Sequence, residues 1–594
     1  ICLVMPNENL FKRVPVSVPH RSGFDKSFRN LFTAKCGTLV PILCDEVIPN
    51  STVHLDLALS AQLPPLASET FMNVDYKVEA FFVPTRLLMA GYEDWLSGND
   101  VITNSAGTTT KYLRAPIIQF SPNQCAPGTL LDYLGVMNRG GEGMTTQSVC
   151  TAFPALAYGL IWDSWYRNSL VQKSLFMTKI ENDVNSFGAG YCPAFMKWWT
   201  PEEADNDYIL TGSTQYADGS NIFTLRQRNF GMDYFTMATP SAQNGEVQKV
   251  IMDVPIIWDN TRQPSMYYQN QTSTDSDISN GGSGQLVQLR PNSTYRIGNS
   301  EASFTVPALR AVNSMQMFLE RNNLIGNRLV DYVKGQYGAT LKDSIAQRPV
   351  YLGSFSFPVY SKGVYQSNQE TSNDVASQNP FNSVGARYGH AYAEGNGSLI
   401  DYTAEEPGYI MVLGSLVPEV TYSSGIERYL SRYTQRKSQS DMANPILQNV
   451  GNQPIFLKEL SAETVLVPGA EDVPNKVFGY VERYADWKTR SHQLHGLLRD
   501  GQSLQAFALQ RNFPGADYLP LDGITSSFLE IPTNFMDQVS AVEDSISDYG
   551  VWVDCYFKYA VSMPLYEYSL PSLQDPAWEH GNVFTIARGG NRID

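Results

Sequence analysis

Strict alternation of apolar and polar residues is the feature that most constrains this chain. Apolar side chains occupy every second position of residues 52–61 and of residues 73–83, and residues 38–48 form a short apolar run. Successive side chains of a strand point to opposite faces, so we expect each run to bury one face and to expose the other. Pro41 lies inside the first run, which predicts an edge strand or a bulge, because proline cannot donate a backbone hydrogen bond.

Three segments far along the chain repeat the strand signal: Tyr409–Val417, Val477–Trp487 and Val551–Val561. We expect them to complete the sheet that Cys36–Leu88 begins. No linker separates independent domains and no internal repeat is visible. The pattern therefore predicts one mainly β antiparallel sandwich with long loop insertions and a few helices.

The segments between the strands predict the organisation of the rest of the chain. Polar, Asn/Ser/Gly-rich composition predicts exposed loops, because such segments have little to bury. The expected parts are a basic N-terminal arm (1–35), a β domain (36–573), loops and a helix at Tyr158–Leu170 (89–240), a variable surface segment (245–303), helices (306–334), a surface loop (361–407) and a C-terminal tail (574–594).

The overall charge argues against a protein that holds nucleic acid by itself. The 594 residues carry a net charge of −16, whereas such proteins usually show a basic surplus. Residues 1–35 carry six basic and two acidic side chains. Lys12 and Arg13 in this arm are candidates to face DNA, although a solvated terminus or a contact with a neighbouring subunit explains the arm equally well.

The sequence lacks the usual signatures of catalysis and of metal binding. It contains no nucleophile elbow, phosphate-binding loop or zinc-protease motif, so we expect a protein that is not an enzyme and has no cofactor or metal. His492 and His495 are two polar residues without further ligands at metal spacing. Seven scattered cysteines predict free thiols in a reducing compartment. No apolar stretch approaches ~18 residues, so we expect no membrane insertion.

One basic constellation, residues 426–438, is of interest for nucleic-acid binding. If it is helical, arginines recur at i, i+4 and i+8 beside a tyrosine stripe, a combination that neutralises phosphates and stacks on unpaired bases. The candidate DNA-facing residues here are Arg428, Tyr429, Arg432, Tyr433, Arg436 and Lys437. The alternative is a helix packed by its tyrosines, with its arginines paired to nearby acids. A secondary basic cluster consists of Arg483, Lys488, Arg490 and Arg499.

Several longer blocks occur in an order that is specific to one family. They are CGTLVPILCDEVIPN, VEAFFVPTRLL, LIWDSWYRNSL, RNFGMDYFTMATP, LERNNLIGNRLVDYVKGQYG, GYIMVLGSLVPEVTYSSGIERYLSR, VFGYVERYADWK and YFKYAVSMPLYEYSLPSL. From about residue 20 to residue 573 the chain resembles the major capsid proteins of the Microviridae, the small single-stranded DNA phages, especially the gokushovirus-like branch.

The resemblance implies an eight-stranded viral jelly roll, sixty copies of which form a T=1 icosahedral shell around circular single-stranded DNA. It also implies assembly in the host bacterial cytoplasm, a small basic DNA-binding virion protein, a pilot or minor virion protein, and a host cell-surface receptor. Residues 245–303 match the place of the family's surface protrusion. The candidate protrusion residues are Tyr267, Tyr268, Asn270, Asp275, Asp277 and Asn280. The tail 574–594 has no counterpart in the resemblance.

A carbohydrate-binding or carbohydrate-active β-sandwich is the alternative function. The composition includes 33 Tyr, and aromatic loops can stack on sugars. Carboxylate pairs of glycosidases are rarely visible in a sequence. The formation of particles distinguishes the two functions.

Overall fold

A computed structural model describes most of the chain. The described residues are 21–89, 91–98, 101–103, 107, 109–112, 114–136, 148–176, 209–211, 215–216, 218–246, 248, 256–258, 266–268, 287–289, 295–297, 305–365, 387–431, 451–462, 476–513, 520–541 and 550–565.

Strands predominate over helices in these residues. The strands are β1 (Ser22–Asp25), β2 (Phe28–Ala34), β3 (Val40–Val47), β4 (Thr52–Gln62), β5 (Val74–Pro84), β6 (Val101–Thr103), β7 (Thr109–Tyr112), β8 (Ile117–Phe120), β9 (Ser148–Thr151), β10 (Ile209–Leu210), β11 (Ile256–Trp258), β12 (Met266–Tyr268), β13 (Val287–Leu289), β14 (Tyr295–Ile297), β15 (Val350–Pro358), β16 (Tyr360–Tyr365), β17 (Arg387–Thr403), β18 (Gly408–Pro418), β19 (Asn452–Phe456), β20 (Val477–Glu482) and β21 (Val551–Met563). The helices are α1 (Tyr92–Ser97), α2 (Leu130–Tyr133), α3 (Phe153–Ile161), α4 (Val306–Ile325), α5 (Leu329–Tyr337), α6 (Leu457–Leu460), α7 (Ala485–Lys488) and α8 (Ser526–Leu529).

Two antiparallel sheets form the centre of the fold. A six-stranded sheet has the order β1-β21-β4-β17-β16, with β2 also paired to β21, and a four-stranded sheet has the order β15-β5-β18-β3. Their inward side chains belong to one hydrophobic core. The predicted class, a mainly antiparallel β-sandwich with few helices, is confirmed. The expected number of eight strands is not, since these two sheets together contain ten.

The alternation of apolar and polar residues along β4 appears in the core as predicted. On β4, Val53, Leu55, Leu57 and Leu59 are buried, and the residues between them are partly or fully exposed. Full burial of one such aliphatic side chain contributes about 1.5–3 kcal/mol. A slip of one residue in register would turn the whole set towards solvent, so the hydrophobic pattern fixes the register of β4 between β17 and β21.

The outer face of the four-stranded sheet departs from the expectation that each strand exposes one face. Phe81 and Val83 of β5 are buried on that face, as are Tyr409 and Met411 of β18. They join a second hydrophobic core with α3 and neighbouring parts of the 88–225 insertion. The prediction of a solvated face is therefore wrong for this sheet, because the insertion covers it.

Pro41 lies where its missing donor is tolerated. β3 is an edge strand of its sheet, and its pairing with β18 shifts register between Val412, opposite Leu43, and Leu413, opposite Pro41. The predicted edge or bulge is confirmed, since the position is both.

The expectation of a surface loop over 361–407 is wrong for its described part. β16 and β17 are strands of the six-stranded sheet, and β17 pairs with β16 at its beginning and with β4 from Tyr392 to Thr403. Its glycines have a packing reason. A Cβ on Gly395 would lie 2.5 Å from the ring of Phe357, and one on Gly397 would lie 1.9 Å from the ring of Phe355. Glycine composition here reflects aromatic rings of β15 crossing the strand, not a loop.

Three other local predictions require adjustment. β20 ends at Glu482 and pairs with β19 in a separate two-stranded sheet, so Val477–Trp487 does not complete the sandwich. The helix predicted from Tyr158 begins earlier, as α3, and ends in a π-helical turn at Trp162–Tyr166. The predicted helical region after Val306 divides into α4 and α5.

The described part of the basic arm is not a free terminus. β1 and β2 pair in register with β21, from Ser22 opposite Met563 to Ala34 opposite Val551. Lys26 forms an ion pair with Asp45, and Lys12 and Arg13 lie outside the described residues. Residues 22–34 are therefore part of the sandwich.

The chain divides into two compact units. The first comprises residues 1–240 and 326–594 and contains the sandwich. The second comprises residues 241–325, within which α4 contacts the segment after residue 241. In this contact the Asn323 side chain donates to the carbonyl of Ser241 at 2.5 Å. The predicted variable segment 245–303 falls inside the second unit.

Candidate nucleic-acid interface

The predicted DNA-facing helix is described only at its beginning. Arg428–Ser431 forms a single 3₁₀ turn, in which Tyr429 is exposed and Arg428 is buried. The remaining candidates of this constellation, namely Arg432, Tyr433, Arg436 and Lys437, lie outside the described residues. Of the three arginines predicted at helical spacing, the described residues thus include only Arg428.

Arg428 has a structural partner. Its guanidinium lies 3.2 Å from Oε1 of Glu459 and donates to the carbonyl of Pro454. Both charged side chains are almost fully buried, at 4% and 3% exposure. Tyr234 Oη donates to the other oxygen of Glu459 at 2.9 Å. The prediction that Arg428 faces DNA is therefore wrong, and the alternative, an arginine paired with a nearby acid, describes it.

The electrostatics of this buried pair favour a fixed arrangement. Burial raises the pKa of Glu459, and the charge of Arg428 and the backbone N–H of Phe456 oppose that rise. Burial also raises the pKa of Tyr234, with the charge of Glu459 adding to the effect. The phenol therefore remains a hydrogen-bond donor over the ordinary pH range.

A surface cleft of about 700 Å³ lies beside this pair, and it joins the two basic clusters of the sequence analysis. Its lining includes Tyr429 from the first cluster and most of the residues 486–495 together with Arg499. This second part supplies the cationic side chains Lys488, Arg490 and Arg499. Trp487, which is 49% exposed, adds a second aromatic side chain. The fold thus places exposed cations and exposed aromatic rings at one site.

The cationic side chains of the cleft differ in whether they form ion pairs. Arg490 lies 3.1 Å from Glu427, and Lys488 forms an ion pair with Glu482. No ion pair involves Arg499 in the part of the chain that the structure describes. The cleft therefore contains both acidic and basic side chains, and Arg499 is an exposed arginine of the cleft.

The floor of the cleft is held by a polar and aromatic network. Tyr422 Oη donates to Asp233 at 2.7 Å, and its ring lies 4.8 Å from that of Phe235. Burial raises the pKa of Tyr422, and the charge of Asp233 raises it further. Arg511 supports this floor from within, because its guanidinium stacks 3.8 Å from the centre of the Phe528 ring. Such stacking helps to hold Arg511, which is hydrogen-bonded to Tyr422.

The exposed side chains of the site are of the kinds that bind nucleic acid. Exposed Tyr and Trp rings can stack on unpaired bases, and an exposed arginine can neutralise a phosphate, without any requirement for a particular sequence. Trp487 is not among the site residues predicted from the sequence, because the strand pattern places it at the end of a strand. The sequence did indicate this region through the basic cluster from Arg483 to Arg499. It could not show that the cluster lies beside Tyr429 in the folded chain.

The protrusion candidates lie in the second unit. Tyr267 and Tyr268 belong to β12, which pairs with β13 so that Tyr267 lies opposite Gln288 and Tyr268 opposite Val287. The other candidates, Asn270, Asp275, Asp277 and Asn280, lie outside the described residues.

The described residues hold neither a metal-ion cluster nor a helix suited to cross a membrane. Within them no three His, Cys, Asp or Glu side chains cluster as a metal ion requires. His492 instead lies 3.1 Å from Glu419. No helix in those ranges combines the length and the apolar character needed to cross a bilayer.

Comparison with known proteins gives the family. The family model described as capsid protein (F protein) matches residues 12–573. Capsid protein VP1 of Chlamydia phage 1 is 25% identical, with 96% of this chain and 98% of that protein covered. Capsid protein VP1 of Bdellovibrio phage phiMH2K is 24% identical (95% and 98% covered), and that of Spiroplasma virus 4 is 22% identical (95% and 96% covered). The resemblance found in the sequence is confirmed: the chain belongs to the capsid protein (F protein) family of the Microviridae and is a structural protein, the major capsid subunit of a phage virion.

Proposed function

We propose that sixty copies of this chain form a T=1 icosahedral shell that encloses circular single-stranded DNA, and that the shell assembles in the host bacterial cytoplasm. The observation that carries the proposal is the family match over residues 12–573, together with relatives that align over almost their whole length.

Because the chain is acidic, the proposed shell needs a separate source of positive charge to hold DNA. A net charge of −16 repels phosphate over most of a surface. A small basic virion protein supplies the bulk of the neutralisation, and the subunit contributes local contacts. The cleft with Tyr429, Trp487 and Arg499 is the described site best suited to unpaired bases. Arg432, Tyr433, Arg436, Lys437, Lys12 and Arg13 are further proposed contacts, and Arg428 is not.

Residues 245–303 are proposed as the surface protrusion used in host attachment. Their polar composition suits a solvent-exposed insertion, because loop closure costs grow only logarithmically with length. Tyr267 and Tyr268, with Asn270, Asp275, Asp277 and Asn280, would supply aromatic and polar contacts to a host cell-surface receptor. A pilot or minor virion protein completes the proposed particle.

Expression of the full chain, alone and with a basic virion protein, tests the proposal. Negative-stain microscopy should show uniform icosahedral shells, native mass spectrometry should give sixty copies, and nuclease-protected single-stranded DNA should copurify. A soluble monomer that binds glycans would contradict the proposal and support the carbohydrate-binding alternative. Shells with another copy number would contradict the T=1 assignment alone.

A further inference from the structure

A turn with an unusual backbone conformation leads into Trp487. Tyr484, shortly after the end of β20, has φ 71° and ψ 13°, which is the left-handed region. Bulky residues rarely adopt this conformation, because their Cβ atom lies too close to the following carbonyl oxygen. Such a strained residue persists only where the surrounding structure holds it. A contact from outside the turn must therefore keep Tyr484 in place.

The side chain of Gln453 holds this turn at two points. Gln453 lies on β19 opposite Val481 of β20, and its side chain reaches the segment that follows β20. Its Oε1 accepts the backbone N–H of Tyr484 at 3.1 Å, and its Nε2 donates to Oδ1 of Asp486 at 2.8 Å. Gln453 is fully buried. Because a buried amide without partners costs free energy, both hydrogen bonds resist breaking.

The backbone of Trp487 is bonded directly to the same turn. The carbonyl of Tyr484 accepts the backbone N–H groups of Trp487 at 3.0 Å and of Lys488 at 3.2 Å. The guanidinium of Arg483 lies 4.8 Å from the centre of the Tyr484 ring and packs against the turn from its other end. The position of the Trp487 backbone therefore depends on the turn that Gln453 holds.

A fixed backbone matters for a ring that is 49% exposed at the cleft. An aromatic side chain that must be ordered during binding lowers the affinity, because its freedom is lost at that step. A ring whose backbone is already held has less freedom to lose. The turn thus prepares Trp487 for a stacking contact before any ligand arrives.

We propose that Gln453 and Asp486 are positioning residues, which hold the strained turn so that the Trp487 ring is placed in advance for stacking on an unpaired base. The inference rests on the proposed binding of single-stranded DNA at the cleft, and adds the residues that prepare its aromatic surface. An acidic side chain beside a phosphate backbone works against binding. The hydrogen bond from Gln453 gives a reason for Asp486 at this place.

A matched pair of substitutions in the full chain separates the hydrogen bond from the charge. Asp486→Asn and Asp486→Ala both remove the acidic group, but only Asn keeps an oxygen that can accept from Gln453. Fluorescence anisotropy with a labelled single-stranded oligonucleotide should show at least about fivefold weaker binding by the Ala variant than by the Asn variant, through lost stacking. The slope of log K against log salt should be equal in both, since neither loses a phosphate contact. Equal affinities overturn the proposal.

A Trp487→Ala background tests whether the effect acts through the ring. There the difference between Asp486→Ala and Asp486→Asn should disappear, because no indole is left to position. A difference that persists overturns the proposal, since Asp486 then acts in another way. Circular dichroism checks that each variant folds. Asp486→Glu keeps the charge and displaces the acceptor, so it should bind more weakly than the unchanged chain, and it replaces the Ala variant if that variant does not fold.

Hydrogen exchange observes the turn without DNA. In the unassembled chain, the amides of Trp487 and Lys488 should exchange faster in Asp486→Ala than in Asp486→Asn, because their acceptor lies in the turn. Equal exchange overturns the positioning role. If the unchanged chain binds no oligonucleotide, the proposed function of the cleft is contradicted and the inference falls with it. If the unchanged chain binds and the two variants bind alike, the inference alone fails, so the two failures are distinguishable.

Discussion

Arg228 forms a two-pronged ion pair with Glu79, with N–O distances of 2.6 and 3.0 Å. Tyr166 donates to the same carboxylate, and its ring lies 5.2 Å from the Arg228 guanidinium. Burial is the largest single effect and lowers the pKa of Arg228, but the charge of Glu79, the hydrogen bond to Glu79 and the nearby tyrosines together leave the pKa raised. Glu79 belongs to β5, Tyr166 to the insertion and Arg228 to the segment that directly follows the insertion. These contacts therefore fasten the insertion and its C-terminal end to the outer face of the sandwich.

The pair predicts a stability effect. Arg228→Ala leaves the carboxylate of Glu79 half-buried without its cation, so we expect a loss of about 3 kcal/mol in unfolding free energy. The measurement is the midpoint of urea unfolding of the unassembled chain. Lys488→Ala breaks an exposed ion pair and is the matched control, with an expected loss below about 1 kcal/mol. Equal effects of the two variants would contradict the role assigned to Arg228.

Alkaline pH should weaken the fold through the buried thiol of Cys555. Burial, with a contribution from Asp554, raises the pKa of this thiol from 9.0 to about 12. Between these values the unfolded chain releases the proton and the folded chain keeps it. The stabilisation is complete below pH 9 and disappears as the pH rises towards 12, at about 1.4 kcal/mol per pH unit for one proton.

Urea unfolding across this pH range provides the measurement. Cys555→Ala removes the titrating thiol. The unfolding free energy of this variant should therefore fall with pH less steeply than that of the unchanged chain, by the contribution of about one proton. Because the substitution also leaves a cavity, the comparison concerns the slope and not the absolute stability. An unchanged slope would show that Cys555 does not titrate in this way.

The local sequence pattern was sufficient to predict the structure where a strand has only one buried face. The alternation of β4 gave its inward residues, and the chemistry of Pro41 gave an edge position with a bulge. It was insufficient where distant parts of the chain meet. Phe81 is buried on the second face of β5 because α3 and its surroundings cover it, and Gly397 is required by the ring of Phe355. Neither relation has a local signal.

The candidate interface shows the same limit. An arginine at helical spacing has the same local pattern whether it faces DNA or a buried acid. Glu459, 31 residues after Arg428, decides between the two, and only the fold brings them together. The same folding joins Tyr429 to Trp487 and Arg499. The residue types predicted the chemistry of the site. Which residues form it depends on tertiary contacts.

Arg428 and Arg499 should therefore respond differently to substitution. Arg428→Gln leaves Glu459 buried without a charge partner, so we expect a loss of about 3 kcal/mol in stability. Arg499→Gln removes an exposed charge and should change stability by less than about 0.5 kcal/mol. Thermal melting of the two unassembled variants gives the comparison. A strongly destabilised Arg499 variant would show that this residue has a structural role.

Binding of single-stranded DNA should depend on the cleft. Arg499→Gln should lower the slope of log K against log salt by about 0.7, as expected for one lost phosphate contact on a single strand. Tyr429→Ala should weaken binding by about 1–3 kcal/mol through lost stacking, with little change in the salt slope. Fluorescence anisotropy with a labelled oligonucleotide measures both effects. Lys334→Gln, on the exposed side of α5, is the charge-matched control, and an equal effect of this control would indicate a non-specific charge effect.

Trimming of residues 269–285 tests the proposed protrusion. The segment contains mostly Asn, Ser, Thr, Asp and Gly, so its removal takes away little that could be buried, and a shorter loop costs less to close. We expect the trimmed chain to assemble into shells with unchanged yield and melting temperature, and to bind host cells less well. Shell counts by microscopy and adsorption of particles to host cells measure the two outcomes separately. Replacement of the segment by a Gly/Ser linker of equal length is the control for loop length, and it should lose adsorption as the deletion does. Loss of shells in both variants would show that residues 269–285 form a contact between subunits and not an exposed attachment surface.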